Sequence, residues 1–162
     1  MFKLLLVDDE PIEREGMKAI LERSLQGIEI KQAKNGKMAV ETAADWQPDI
    51  IFMDIMMPVM TGLEAIEQIR ETDPDVEFVM MTAFDTFDYA QRAIKLGVKD
   101  YLLKPSKAAE IVAIAEKLFS NLKKKTQQSA EQEQRQGALQ KAMAIVEMDI
   151  VTQLLFDQVQ DM

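Results

Sequence analysis

The sequence predicts an α/β fold: a doubly wound, five-stranded parallel sheet with helices on both faces and a C-terminal helical extension. Three observations carry that expectation. Short apolar runs alternate with amphipathic stretches and turn residues through residues 3–120. Runs such as Leu4-Leu5-Leu6-Val7 and Ile50-Ile51-Phe52-Met53 are continuously apolar, as strands covered on both faces are, whereas a one-sided antiparallel strand alternates. Polar or charged residues follow the runs directly, at the strand ends where an open parallel sheet gathers its ligands.

Leu4 to Val7 read as the first strand, and Pro11 suits the first turn of a helix with an acidic cap. Ile12, Gly16, Ala19, Ile20 and Arg23 mark that helix, which runs to about Leu25. Ile28 to Ala33 alternate as a second strand, Asn35-Gly36 signals a turn, and a helix follows through Val40 to Trp46 until Pro48. Ile50 to Met53 form the third strand, which runs into Asp54, Met57-Pro58 and Gly62. Leu63, Ile66 and Ile69 recur at helical spacing until Asp73-Pro74. Phe78 to Met81 give a fourth strand ending at Thr82, Phe87 to Leu96 a helix, and Gly97 its left-handed cap. Asp100 to Leu103 form the fifth strand, which ends in Lys104-Pro105 before a helix beginning near Ser106.

Composition removes several chemistries. The 162-residue chain has no Cys and no His, which excludes disulfides, thiolate and imidazole metal sites, and Ser-His-Asp catalysis on this chain. A net charge of −9 argues against nucleic-acid binding by this segment. No stretch approaches the ~20 apolar residues of a membrane span, and the N-terminal run is too short for a signal peptide. No membrane association is expected, and the location expected is cytoplasmic.

The strand ends bring together Asp8-Asp9, Asp54, Thr82 and Lys104. Singly, each has a structural role to play: the acids as helix caps, the threonine in a side-chain turn, the lysine in solvent. Together, three carboxylates at neighbouring strand ends repel by several kcal/mol at an effective dielectric of ~20 unless a cation joins them. Lys104 offsets one charge. A hard divalent cation with oxygen ligands is the natural remainder, and Mg²⁺ leaves room for a phosphate oxygen. Asp54 is then a competent carboxylate nucleophile for phosphoryl transfer, with Lys104 and the Thr82 hydroxyl placed for the phosphoryl oxygens and Asp8 and Asp9 for the metal.

Val7-Asp8-Asp9-Glu10, Met53-Asp54-Ile55-Met56-Met57-Pro58 with Gly62, Met81-Thr82-Ala83 and Tyr101-Leu102-Leu103-Lys104-Pro105 resemble the receiver domain of two-component response regulators over about residues 3–120. That resemblance implies a flavodoxin-like receiver fold and a switch phosphorylated on Asp54 by a partner sensor histidine kinase. It implies Asp9 and Asp54 as direct Mg²⁺ ligands, Asp8 as a ligand largely through water, and the Met56 backbone carbonyl as another. Lys104 would pair with the phosphoryl group, on a peptide to Pro105 that is cis in the family. Thr82 and Tyr101 would be the switch pair, flanked by Ala83 and Pro105. Met56 and Phe84 are bulky beside the site, at positions where the family tunes the lifetime of the acyl phosphate. The run from Ala83 to Pro105 further resembles receivers joined to AraC-type DNA-binding output domains.

The expected domains are a receiver over 1–122, a polar linker or solvated helix over 123–136, and an amphipathic helix over 137–162 that starts a linker or dimerisation segment. Leu139, Met143, Val146, Ile150 and Leu154 form its apolar stripe. A homodimer through that helix and the receiver surface is expected, with a transcriptional output domain elsewhere. Two other functions compete. An aspartyl-phosphate phosphatase of haloacid-dehalogenase type also uses a strand-end Asp and Mg²⁺, but wants a second Asp two residues on, where Met56 stands. A phosphorylation-independent receiver-like interaction module would not need the full set of Asp8, Asp9, Asp54, Thr82 and Lys104. The chain is expected to have no enzymatic activity beyond slow self-dephosphorylation.

Overall fold

The structure is a computed structural model that describes residues 1–83, 87–98 and 100–127. The expectations placed on Phe84, on 128–136 and on the 137–162 helix lie outside the described residues. The chain divides into two compact units, Met1–Phe119 and Ser120–Met162. The elements are β1 (Phe2–Val7), α1 (Pro11–Ser24), β2 (Ile28–Ala33), α2 (Gly36–Trp46), β3 (Ile50–Asp54), α3 (Gly62–Thr72), β4 (Glu77–Thr82), α4 (Phe87–Lys95) and β5 (Asp100–Leu103). A last helix, α5, covers 108–127.

All strand pairs are parallel, in the order β2-β1-β3-β4-β5, the flavodoxin-like doubly wound order. Alternation along the strands divides the core. Leu5, Val7, Ile51, Met53, Phe78 and Met80 pack with Ala39, Ala43, Leu63, Ile66, Ile69 and Ala93 from α2, α3 and α4. The intervening Leu4, Leu6, Ile50, Phe52, Val79 and Met81 are equally buried and face the other way. On that side the Phe2 and Phe119 rings lie 5.0 Å apart, and Met17 of α1, Met81 and Ile111 of α5 share one small hollow. The edge strand β2 alternates in burial while β3 is buried throughout, because only a central strand is covered along both faces.

The expected elements form, with differences at their ends. Helix α1 carries Pro11 in its first turn, but its N-cap is Glu10 and no side chain caps it. The nearby Asp8 instead accepts the Glu10 N–H at 2.9 Å, so this acid orders the loop. Met17 and Leu21 bury the face of α1, whereas Ile12 in its first turn is 87% exposed. In α2 Asn35 accepts the Met38 N–H at 2.8 Å, and Gln47, at φ 53°, ends the helix before Pro48. Helix α5 starts at 108, later than the expected Ser106, whose hydroxyl donates to the Leu103 carbonyl at 2.7 Å. Arg70, at the end of α3, donates to the carbonyls of Pro74, Val76, Leu96 and Gly97 and lies over the Phe78 ring, fastening the α4–β5 turn.

The β3–α3 loop depends on Gly62. Its N–H donates to the Ile55 carbonyl at 2.9 Å, and a Cβ there would stand 2.2 Å from the Asp54 carbonyl oxygen and 2.8 Å from Ile55 Cα. Both obstacles are backbone at the end of a buried strand. Gly62→Ala should therefore lower the unfolding free energy by roughly 2–4 kcal/mol, measured by urea denaturation. A loss under about 1 kcal/mol would mean that the loop yields at little cost.

Candidate functional site

The sheet itself assembles the acids. β1 and β3 pair up to Val7↔Met53, and one residue further along each strand lie Asp8 and Asp54. Asp54 pairs in register with Met81, and Thr82 with Leu103, so β4 and the Lys104 that follows β5 end at the same level. The Lys104 N–H donates to the Thr82 carbonyl at 2.9 Å, and the Lys104–Pro105 peptide is cis. The Lys104 ammonium then reaches back across the sheet, 2.7 Å from Asp8 Oδ2 and 3.3 Å from Asp54 Oδ2. It also stands 2.6 Å from Glu13 Oε2 of α1.

Asp8 and Asp54 are buried, at 1% and 4% exposure, while Asp9 is exposed. One carboxylate oxygen from each of the three lies within 4.8 Å of the others, a spacing that one cation can span. The donor set is oxygen only, which suits a hard divalent cation. A cleft of about 390 Å³ opens beside it, lined by Asp9, Glu10, Glu13, Asp54, Met56, Ala83, Lys104 and Pro105. Burial pushes the Asp54 carboxyl up to about 7, with Asp8 adding to the rise and Lys104 opposing it. Burial also pushes Asp8 up, but hydrogen bonds from Lys104 and the Glu10 N–H outweigh it and hold Asp8 below the usual carboxylate value. Lys104 draws Glu13 down, yet partial burial and the neighbouring Asp8 carry it above its ordinary value. For Lys104 burial disfavours the charge, and the surrounding acids more than reverse that, so its pKa is raised. Without a metal, the site is short of positive charge.

Of the residues singled out from the sequence, Asp8, Asp9, Asp54 and Lys104 converge. Met56 lines the cleft, its N–H donating to Asp54 Oδ1 at 3.3 Å. Ala83 is exposed at the cleft wall, and Thr82 is buried at the end of β4. Tyr101 stands apart, 49% exposed, beside a second hollow lined by Leu102, Leu103, Glu110, Ala113 and Ile114. Glu13 was not foreseen. Its signal in the sequence is slight: an acid in the first turn of a helix whose dipole welcomes it anyway. Arg14 also escaped notice; it donates to the Asp8 carbonyl and to Gln32 Oε1, tying β1 to β2 beneath the site.

Known proteins resemble this chain in sequence and fold. The transcriptional regulatory protein YesN of Bacillus subtilis (strain 168) is 42% identical over 125 residues, covering 76% of this chain and 34% of YesN. YdfI, a transcriptional regulatory protein of the same organism, is 45% identical over 104 residues, covering 64% of this chain and 48% of YdfI. The chain thus spans about a third to a half of the length of these relatives. Among solved structures, the REC domain of AraT, a response regulator from Geobacillus stearothermophilus, superposes with a TM-score of 0.69 at 34% identity, covering 77% of this chain and 98% of that one. A family model described as the response regulator receiver domain matches residues 4–116, and with the parallel sheet and its strand-end acids in place, the chain belongs to that family.

Proposed function

We propose that the chain is a phosphorylation-dependent signalling switch in which Asp54 accepts a phosphoryl group from a partner histidine kinase. The observation that carries this reading is the placement of Asp54: a buried strand-end carboxylate, 3.3 Å from the Lys104 ammonium and opening on the cleft. An Asp54 oxygen attacks phosphorus, an O–P bond forms, and the N–P bond to the donor histidine breaks, its electrons leaving with the imidazole. Lys104 balances charge on the phosphoryl oxygens, and Thr82 contacts them from the end of β4. Asp8, Asp9 and Asp54, with the Met56 backbone, would hold Mg²⁺, which when bound supplies positive charge to the transferring group and keeps Asp54 ionised. Thr82 and Tyr101, with Ala83 and Pro105 beside them, would relay the change to the β4–α4–β5 surface.

The chain is a phosphoacceptor whose only chemistry is slow loss of that group. The output would be transcriptional, a reading supported by the names and greater length of the relatives. Self-association through the stripe in 137–162 belongs to this reading and rests on the sequence alone. Incubation with acetyl phosphate and Mg²⁺ should add one phosphoryl group, seen by intact-protein mass spectrometry. An unchanged mass, with binding to a sensor kinase also absent, would favour a module used only for contacts.

Asp9→Asn should weaken Mg²⁺ binding by about tenfold or more, because it removes an anionic oxygen from a site with three such residues while leaving the buried pair intact. Isothermal titration calorimetry measures it. Equal affinities would remove Asp9 from the ligand set.

A further inference from the structure

We propose that Glu13 is a positioning residue of the phosphoacceptor site, a latch that holds the Lys104 ammonium before phosphorylation and competes with the phosphoryl group for it. The proposal rests on Asp54 being the phosphoacceptor. Lys104 Nζ lies 2.6 Å from Glu13 Oε2, closer than the 3.3 Å to Asp54 Oδ2. The ordinary task of an acid at this helical position, returning to the N-cap N–H, is already filled: the Glu10 N–H donates to Asp8 Oδ1 at 2.9 Å. Nor is Glu13 in the set of carboxylates close enough to share a cation, which among the described residues is Asp8, Asp9 and Asp54. Its carboxylate is turned to the ammonium instead.

Burial distinguishes Glu13 from the other two acids on Lys104. The side chains of Asp8 and Asp54 are 1% and 5% exposed and fixed at strand ends, whereas that of Glu13 is 36% exposed on a helix flanking the cleft. When a phosphoryl group arrives on Asp54, Glu13 is the acid that can give up the ammonium and turn to water. Until then it cancels the charge that Lys104 would offer an incoming anion. Glu13 therefore sets how readily the site takes up the phosphoryl group, without touching phosphorus.

The test is Glu13→Gln in the full chain, with Glu13→Asp as the charge-preserving partner. Beryllium trifluoride, a mimic of a carboxylate-bound phosphoryl group, is titrated calorimetrically in the presence of saturating Mg²⁺. Glu13→Gln should bind it roughly two- to fivefold more tightly than the unsubstituted chain, the size expected for one partly exposed charge. The gain should shrink in high salt, which screens such a charge, and Glu13→Asp should return most of the way to the unsubstituted affinity. A structural role alone would move neither the salt dependence nor the rescue. Equal or weaker binding by Glu13→Gln, or a gain insensitive to salt, overturns the latch. So does a loss of Mg²⁺ affinity as large as that of Asp9→Asn, which would make Glu13 a metal-site residue. Failure of the unsubstituted chain to bind the mimic or gain mass from acetyl phosphate would instead bring down the phosphoacceptor reading, and the latch with it.

Discussion

Asp54→Asn should leave the mass of the chain unchanged after incubation with acetyl phosphate and Mg²⁺, where the unsubstituted chain gains one phosphoryl group. The carboxamide nearly matches the carboxylate in shape, so the strand end keeps its packing, but it offers no anionic oxygen to attack phosphorus. No neighbouring acid is equally placed. Both oxygens of Asp8 are engaged, Oδ1 by the Glu10 N–H at 2.9 Å and Oδ2 by Lys104 at 2.7 Å. Asp9 is exposed, the ion pairs of Lys104 among the described residues being to Asp8, Glu13 and Asp54, and Glu13 sits on a helix to the side of the strand ends. Uptake should therefore fall to background rather than to a fraction. A mass gain equal to that of the unsubstituted chain would move the phosphoacceptor elsewhere and sink the assignment.

The parts legible in the sequence are those set by local pattern. β1, β3 and β4 are apolar runs because each is covered on both faces, and Asn35-Gly36 announces a helix start because the Asn35 side chain caps it. Asp54 could be placed from Ile50-Ile51-Phe52-Met53 and the breakers after it, since a buried strand has to end where those begin. The meeting of Lys104 with Asp8, 96 residues apart, was legible too, because both follow strands of one parallel sheet. Which helix side chain stands beside that meeting point follows from how α1 docks on the sheet, and helical periodicity does not encode it. Glu13 was invisible for that reason. Arg70 is a similar case: in the sequence it is one more polar residue of α3, and only the fold turns four backbone carbonyls toward it. The acidic residues after β1 each fit a helix cap as well as the site, and it is their company with Asp54 at the strand ends that favours the site.

Lys104→Gln should be among the most damaging substitutions for the fold, and the damage should depend on pH. At pH 8 without divalent cations, it should lower the unfolding free energy by about 3–5 kcal/mol, because it strands buried Asp8 and Asp54 without their counter-charge. The Asp54 carboxyl, chiefly through burial, already sits at about 7 in the folded chain, against ~3.9 when unfolded. Between those values the folded state keeps a proton that the unfolded state has lost, so Asp54 subtracts stability as pH rises. Removing Lys104 takes away the main influence holding that carboxyl down, so it rises further and the loss of stability with pH steepens. The raised pKa of Lys104 acts the other way: its contribution is complete below the unfolded value of ~10.4 and is lost only at higher pH, hence constant between pH 5 and 8. At pH 5, with Asp54 protonated, the variant should lose clearly less than at pH 8. Added Mg²⁺ should return part of the loss at pH 8 by joining the same carboxylates. Asp54→Asn should do the reverse of Lys104→Gln, stabilising the metal-free chain at pH 8 by relieving the crowding. Urea unfolding at the two pH values measures all of this. An equal loss for Lys104→Gln at pH 5 and pH 8 would mean that the lysine holds the fold through its packed methylenes and not through charge.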